Sequence, residues 1–159
     1  RTNTSQGASW LAVQVAGHNY LLPLEQAGEI FSWPGVLRVP YTNTWFWGVA
    51  NLRGSSVGVV DLGTYLGHPI ERTEQSLQEV SLLVVNPALQ VNVALVVDRL
   101  LGLRGSEDFI STAIEPAQDA PQASAGIVAA SYTDSAGGSW QVLQLHQLVQ
   151  SPDFLSIRI

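Results

Sequence analysis

The chain is divided into short apolar runs, and this limits its possible folds more than any other feature. Leu11, Val13 and Val15 alternate with smaller or polar neighbours, the period-two pattern of a strand with one buried face. Gly17-His18-Asn19 reads as a tight turn into a return strand at 20–24, where Pro23 implies an edge position or a bulge. Further strands are expected at 36–39, stopped by Pro40, and at 57–60. Two hairpins follow: 80–85 with 91–97 across Asn86-Pro87-Ala88-Leu89-Gln90, and 127–132 with 140–145 across the turn formers of 133–139. Helix is confined to single turns at 42–47 and 62–66, the latter closed by Gly67, and to a short closing helix carrying Leu145, Leu148 and Val149. The polar stretch 71–79 and the Pro-containing stretch 107–125 read as connectors. Short strands separated by turns describe an all-β chain of small barrels or a sandwich.

A length of 159 residues suits one domain, or two small subdomains sharing a core. With 46% hydrophobic and 13% charged residues, the chain has the balance of an ordered protein. The net charge is −6, all seven basic residues are Arg, and they are scattered. Nucleic acid and anionic membrane surfaces are therefore not expected as partners, since phosphate affinity needs grouped cations. No cysteine is present, which removes disulfides, thiolate metal sites and Cys nucleophiles. No apolar run approaches the ~20 residues of a bilayer span, so direct membrane insertion is not expected. The N-terminal residues, which begin at Arg1 rather than Met, lack a charged segment followed by an apolar one. The expected compartment is the cytoplasm.

Enzyme chemistry finds little footing. His18, His68 and His146 lack ligand spacing, no nucleophile elbow occurs, and Asn51-Leu52-Arg53-Gly54 has neither the Lys nor the repeated Gly of a phosphate loop. No metal and no cofactor is expected. Val59-Val60-Asp61-Leu62 is echoed by Val96-Val97-Asp98-Arg99, as if two similar β-units packed face to face. Asp61 and Asp98 form a conceivable acid–base pair, but each is more simply explained as a cap on the turn that follows it.

The segment Trp45-Phe46-Trp47-Gly48-Val49-Ala50-Asn51-Leu52-Arg53-Gly54 is different in kind. Three consecutive aromatics cannot share one face of a strand or helix, so one of them, with Trp47 the candidate, belongs at the surface or in a crevice. Arg53 sits between Leu52 and a glycine, where a rigid turn would present its donor fork to a partner. On these residues alone, docking and an ordinary solvated turn stand level.

The run Gly48-Val49-Ala50-Asn51-Leu52-Arg53-Gly54, followed by 57–62 and Leu66-Gly67, resembles the signature of the CheW-like chemosensory adaptor family. Gly28-Glu29-Ile30, Val39-Pro40 and the strand at 93–98 extend the likeness in order from about residue 10 to 148. Aromatic enrichment through 41–47 resembles the PilI branch, which serves type IV pili and twitching motility. The resemblance implies a single domain at 9–150, made of two packed five-stranded SH3-like barrels, with terminal segments at 1–8 and 151–159. It implies a non-catalytic adaptor coupling a chemoreceptor signalling tip to the regulatory domain of a CheA-type histidine kinase, in the cytoplasm at membrane-bound receptor arrays. Glu29 and Arg53 match the family's receptor-docking positions and are expected to form an ion pair; Val39, Trp47, Asn51 and Gly54 complete the expected partner-binding set. Trp47, often polar in the family, and the stretch 116–124 depart from the pattern. An SH3-like binding domain outside chemosensing and a small β-barrel hydrolase are the alternatives.

Overall fold

The computed structural model describes residues 10–113 and 127–155. Its strands are β1 (Trp10–Val15), β2 (His18–Pro23), β3 (Ala27–Ser32), β4 (Phe46–Leu52), β5 (Ser55–Val60), β6 (Ser81–Val85), β7 (Val93–Val97), β8 (Arg99–Arg104), β9 (Phe109–Ala113), β10 (Val128–Asp134) and β11 (Ser139–Leu143). The helices are short: α1 (Leu62–Tyr65), α2 (Glu74–Gln78), α3 (Leu145–Gln150) and α4 (Pro152–Leu155). One sheet runs β8-β1-β2-β11-β10-β9 and the other β3-β6-β7-β5-β4. The first therefore has six strands rather than the expected five and joins both ends of the described chain. The second is built from the middle.

Each sheet curls so that its two sides approach each other. In the second, β3 and β4 are opposite edges, yet Trp33, just after β3, packs edge-to-face on Trp47 of β4 at 5.6 Å. The connecting segment also lays Leu37 against Val49, with N–H to C=O bonds of 2.8 Å in both directions. In the first, Trp10 of β1 meets Phe109 of the edge strand β9 at 6.0 Å and Tyr132 at 5.0 Å. Aromatic pairs thus close both barrels.

Strand alternation distributes the apolar residues over three clusters. Leu11, Val13 and Val15 of β1 join Val93, Leu95 and Val97 of β7, with Leu62, Leu145 and Leu148, in a core between the barrels. The alternate residues Ala94 and Val96 turn into the second barrel with Leu52, Val57 and Leu82. Ala12, Leu21, Trp140 and Val142 fill the first. β7 is buried on both faces, which is why it reads as an unbroken apolar run. α4 adds Phe154, which stacks on Trp45 at 5.7 Å and meets Tyr65 edge-on.

Several expectations change. The turn of helix at 42–47 is not formed at its end: Phe46 and Trp47 open β4, because pairing with β5 outweighs local preference. The strand at 36–39 reduces to the single Leu37–Val49 bridge. Pro23 is the last residue of an interior strand, where pairing to β11 has already stopped at Leu21. The connector at 71–79 contains α2, which Thr73 caps by accepting the Ser76 N–H at 3.0 Å. The connector at 107–125 contains β9, and its part from 114 on, including 116–124, lies outside the described residues. The Val-Val-Asp echo does not mark two face-to-face units, since β5 and β7 are parallel neighbours in one sheet.

Candidate partner-docking surface

The six residues singled out in the sequence separate into two groups. β4 and β5 are joined by a two-residue turn in which Arg53 and Gly54 both have positive φ, 53° and 83°, between the paired Leu52 and Ser55. This is the type I′ geometry that matches the twist of a hairpin. The Asn51 carboxamide oxygen accepts the Gly54 N–H at 3.0 Å, so Asn51 and Gly54 build the turn while Arg53 projects from it. Closure of the barrel brings the turn to β3. There Arg53 Nη2 makes an ion pair with Glu29 Oε2, and the guanidinium lies 5.8 Å from the Phe31 ring centroid. The pair is open to solvent, with side chains 74% exposed at Arg53 and 47% at Glu29. The expected juxtaposition of Glu29 and Arg53 is present, although they belong to opposite edges of the sheet order.

Val39 and Trp47 form the second group, on one shallow hollow shared with Arg38 and Tyr41. Trp47 is six residues back along β4 from Arg53, roughly 20 Å for an extended strand. Its position follows from a bulge: Phe46 pairs with Val60 and Gly48 with Val59, leaving Trp47 as the extra residue. The bulge resolves the three-aromatic problem by re-aiming one ring. Trp45 and Phe46 pack on the core between the barrels, and Trp47 on that of the second barrel, at the crevice the sequence predicted. Gly48 is required beside it. At φ 136° any Cβ would stand 2.1 Å from the Leu37 carbonyl oxygen.

Under Trp47 lies a charge network that sequence reasoning missed. Arg72, 5% exposed, bonds Asp98 in a bidentate fork, Nε to Oδ1 and Nη2 to Oδ2, each at 3.0 Å, and reaches Asp61 Oδ2 at 3.4 Å. Its guanidinium sits 5.4 Å from the Trp47 ring centroid. Asp61 caps α1 as expected, taking the Thr64 N–H and hydroxyl. Asp98 does not cap the turn after it; it accepts the Ala16 N–H at 2.8 Å, across in the β1–β2 turn. Parallel pairing of β5 and β7 is what brings the two carboxylates to one end of the sheet. All four of their oxygens have donors, a structural arrangement rather than an acid–base pair. Arg72 gave no cue in the sequence because a lone Arg in a polar stretch reads as solvated.

His18 and His68, fifty residues apart in sequence, stack with ring centroids 4.0 Å apart. Burial, and then the charge of His18, push the His68 pKa below its ordinary value. His146 lies in the first turn of α3, near the Gln150 carboxamide. Among the described residues no three His, Asp or Glu side chains converge as a metal group, and no helix is long and apolar enough to cross a membrane.

Two curled sheets on a shared core, with an exposed ion pair at the seam of one, define a two-barrel β protein. The CheW-like domain model matches residues 9–153, and the chain belongs to that family. Protein PilI of Pseudomonas aeruginosa is 28% identical over 156 residues, covering 97% of this chain and 82% of PilI. The crystal structure of the scaffolding protein TtCheW from Thermoanaerobacter tengcongensis superimposes with a TM-score of 0.70 at 17% identity, covering 92% of this chain and 94% of TtCheW. That likeness concerns the fold.

Proposed function

We propose that this CheW-like signalling adaptor couples a chemoreceptor signalling tip to the regulatory domain of a CheA-type histidine kinase, without catalysis of its own. The observation that carries the proposal is the exposed Glu29–Arg53 pair, held by a rigid turn at the positions that resemble the family's receptor-docking residues. The carboxylate orients the guanidinium and leaves donors of the fork free for a helical hairpin. Asn51 and Gly54 fix the turn, and Val39 and Trp47 offer apolar contact further along the seam. Similarity to PilI supports a twitching-motility pathway, and the setting proposed is the cytoplasmic face of a receptor array.

The test is a calorimetric titration of the chain with a soluble receptor-tip hairpin and, separately, with the kinase regulatory domain. Arg53→Ala and Glu29→Ala are expected to weaken hairpin binding at least tenfold while leaving the kinase interaction in place. Wild-type hairpin affinity in both variants would remove the docking role. Failure of the unmodified chain to bind either partner would favour an SH3-like module outside chemosensing.

A further inference from the structure

The second barrel carries a cleft that the receptor-docking reading touches only at its Trp47 wall. Its volume is about 510 Å³, and every residue lining it falls between Trp33 and Leu77. None comes from a strand of the first barrel, so the cleft is not the groove between the barrels. One wall is the fixed edge-to-face pair of Trp33 and Trp47, at 5.6 Å and 88°. Ile70, 45% exposed, also lines it, from the loop after α1. Asp61 and Arg72 also line the cleft, but they are committed to each other and to Asp98. Arg38 is not. It is exposed at the mouth and makes no ion pair among the described residues.

The depression continues beyond Arg38. A second hollow of about 470 Å³ shares Arg38, Thr44 and Trp47 with the first and adds Val39 and Tyr41. Tyr41 is 81% exposed and sits at φ 61°, a backbone conformation that is costly for a non-glycine residue and is concentrated at functional sites. The two adjoining hollows make one elongated depression, a shape that suits an extended chain.

We propose that this cleft is a second recognition site, for an extended peptide segment of a protein partner that presents an aromatic or large aliphatic side chain beside a carboxylate. The apolar side chain enters against Trp33, Trp47 and Ile70, where rigid aromatic walls give contact area at small entropic cost. The carboxylate meets the guanidinium of Arg38. Charge complementarity selects this occupant: in a chain of net charge −6, the unpaired group at an apolar cleft is a cation. A basic segment would find no uncommitted acid on the lining, whose one carboxylate, Asp61, already belongs to Arg72.

The test is peptide display on the purified chain, followed by titration with the best synthetic peptide. Selected sequences are expected to place Asp or Glu within a residue or two of an aromatic or Leu. Binding should fall at least tenfold with Arg38→Glu, with Ile70→Ser, and with the Asn or Gln version of the peptide, and should be unchanged in Arg53→Ala. Both cleft variants alter exposed side chains, and circular dichroism verifies their fold. A basic or charge-indifferent consensus, or equal binding by Arg38→Glu, overturns the proposal. So does self-association that Arg38→Glu abolishes while no peptide is selected, which would give the cleft to a second copy of the chain. Loss of receptor binding in Arg53→Ala leaves this result untouched, so the two readings fail separately.

Discussion

Arg53 occupies a backbone position better suited to Asn or Gly. Left-handed geometry costs an ordinary side chain roughly 1 kcal/mol, and an exposed ion pair returns about 0–1 kcal/mol. The turn therefore gains little or no stability from arginine, which supports the proposed recognition role. Arg53→Gly should hold stability to within about 1 kcal/mol of the parent in urea unfolding while losing hairpin affinity; a large loss of stability would make Arg53 structural. His68 gives a pH-dependent prediction at the same scale. Its pKa is lowered in the folded state, so the unfolded chain takes up the proton first as pH falls. Stability is complete above about pH 6.5 and declines below it, until folded His68 also titrates. Melting temperatures measured from pH 7.5 down to about 5 should fall less steeply for His68→Gln; parallel curves would show that the stack does not matter.

At the scale of elements, the seam between β3 and β4 depends on one glycine and one bulge. Gly48 admits the 36–39 segment across β4, and the bulge beside it aims Trp47 into the cleft. Gly48→Ala must both adopt φ 136° and displace the Leu37 carbonyl. The expected cost is about 2–3 kcal/mol in chemical denaturation, with a shifted Trp47 signal in indole NMR. A variant as stable as the parent would mean that the segment moves freely. The β10–β11 turn offers a milder case. Asp134 accepts the Ala136 and Gly138 N–H groups and the Trp140 indole N–H, and these bonds lower its carboxyl pKa. Their contribution is present above the unfolded carboxylate pKa and is lost as pH falls through the lower folded value.

For the whole molecule, the Arg72 network ties the barrels together. Asp98 joins Arg72 and, through it, Asp61 of the second barrel to the Ala16 N–H of the first. Arg72→Leu leaves two carboxylates without their cation, and a loss of about 3 kcal/mol is expected. Hydrogen exchange at Ala16 should accelerate in that variant. Unchanged protection would mean that the apolar core between the barrels suffices to hold them.

Period-two patterning and turn residues made β1, β2, β5 to β7, β10 and β11 legible, because each rests on local alternation and on neighbours in sequence. The Asn51-Leu52-Arg53-Gly54 motif likewise points to an exposed arginine, since a type I′ turn is a local object. Strand β8 was not legible, being a half-exposed edge kinked by Gly102 at φ 99°. Nor were the pairing of the chain's ends into one barrel, the meeting of His18 with His68, and the commitment of Arg72 to Asp61 and Asp98. These depend on which strands lie side by side, a choice made by burying apolar faces across long sequence separations. By itself the sequence determined the locally patterned strands, their turns and the exposed Arg53. Only the closing of the sheets decided that Glu29 reaches Arg53 and that Trp47 lies over a buried cation.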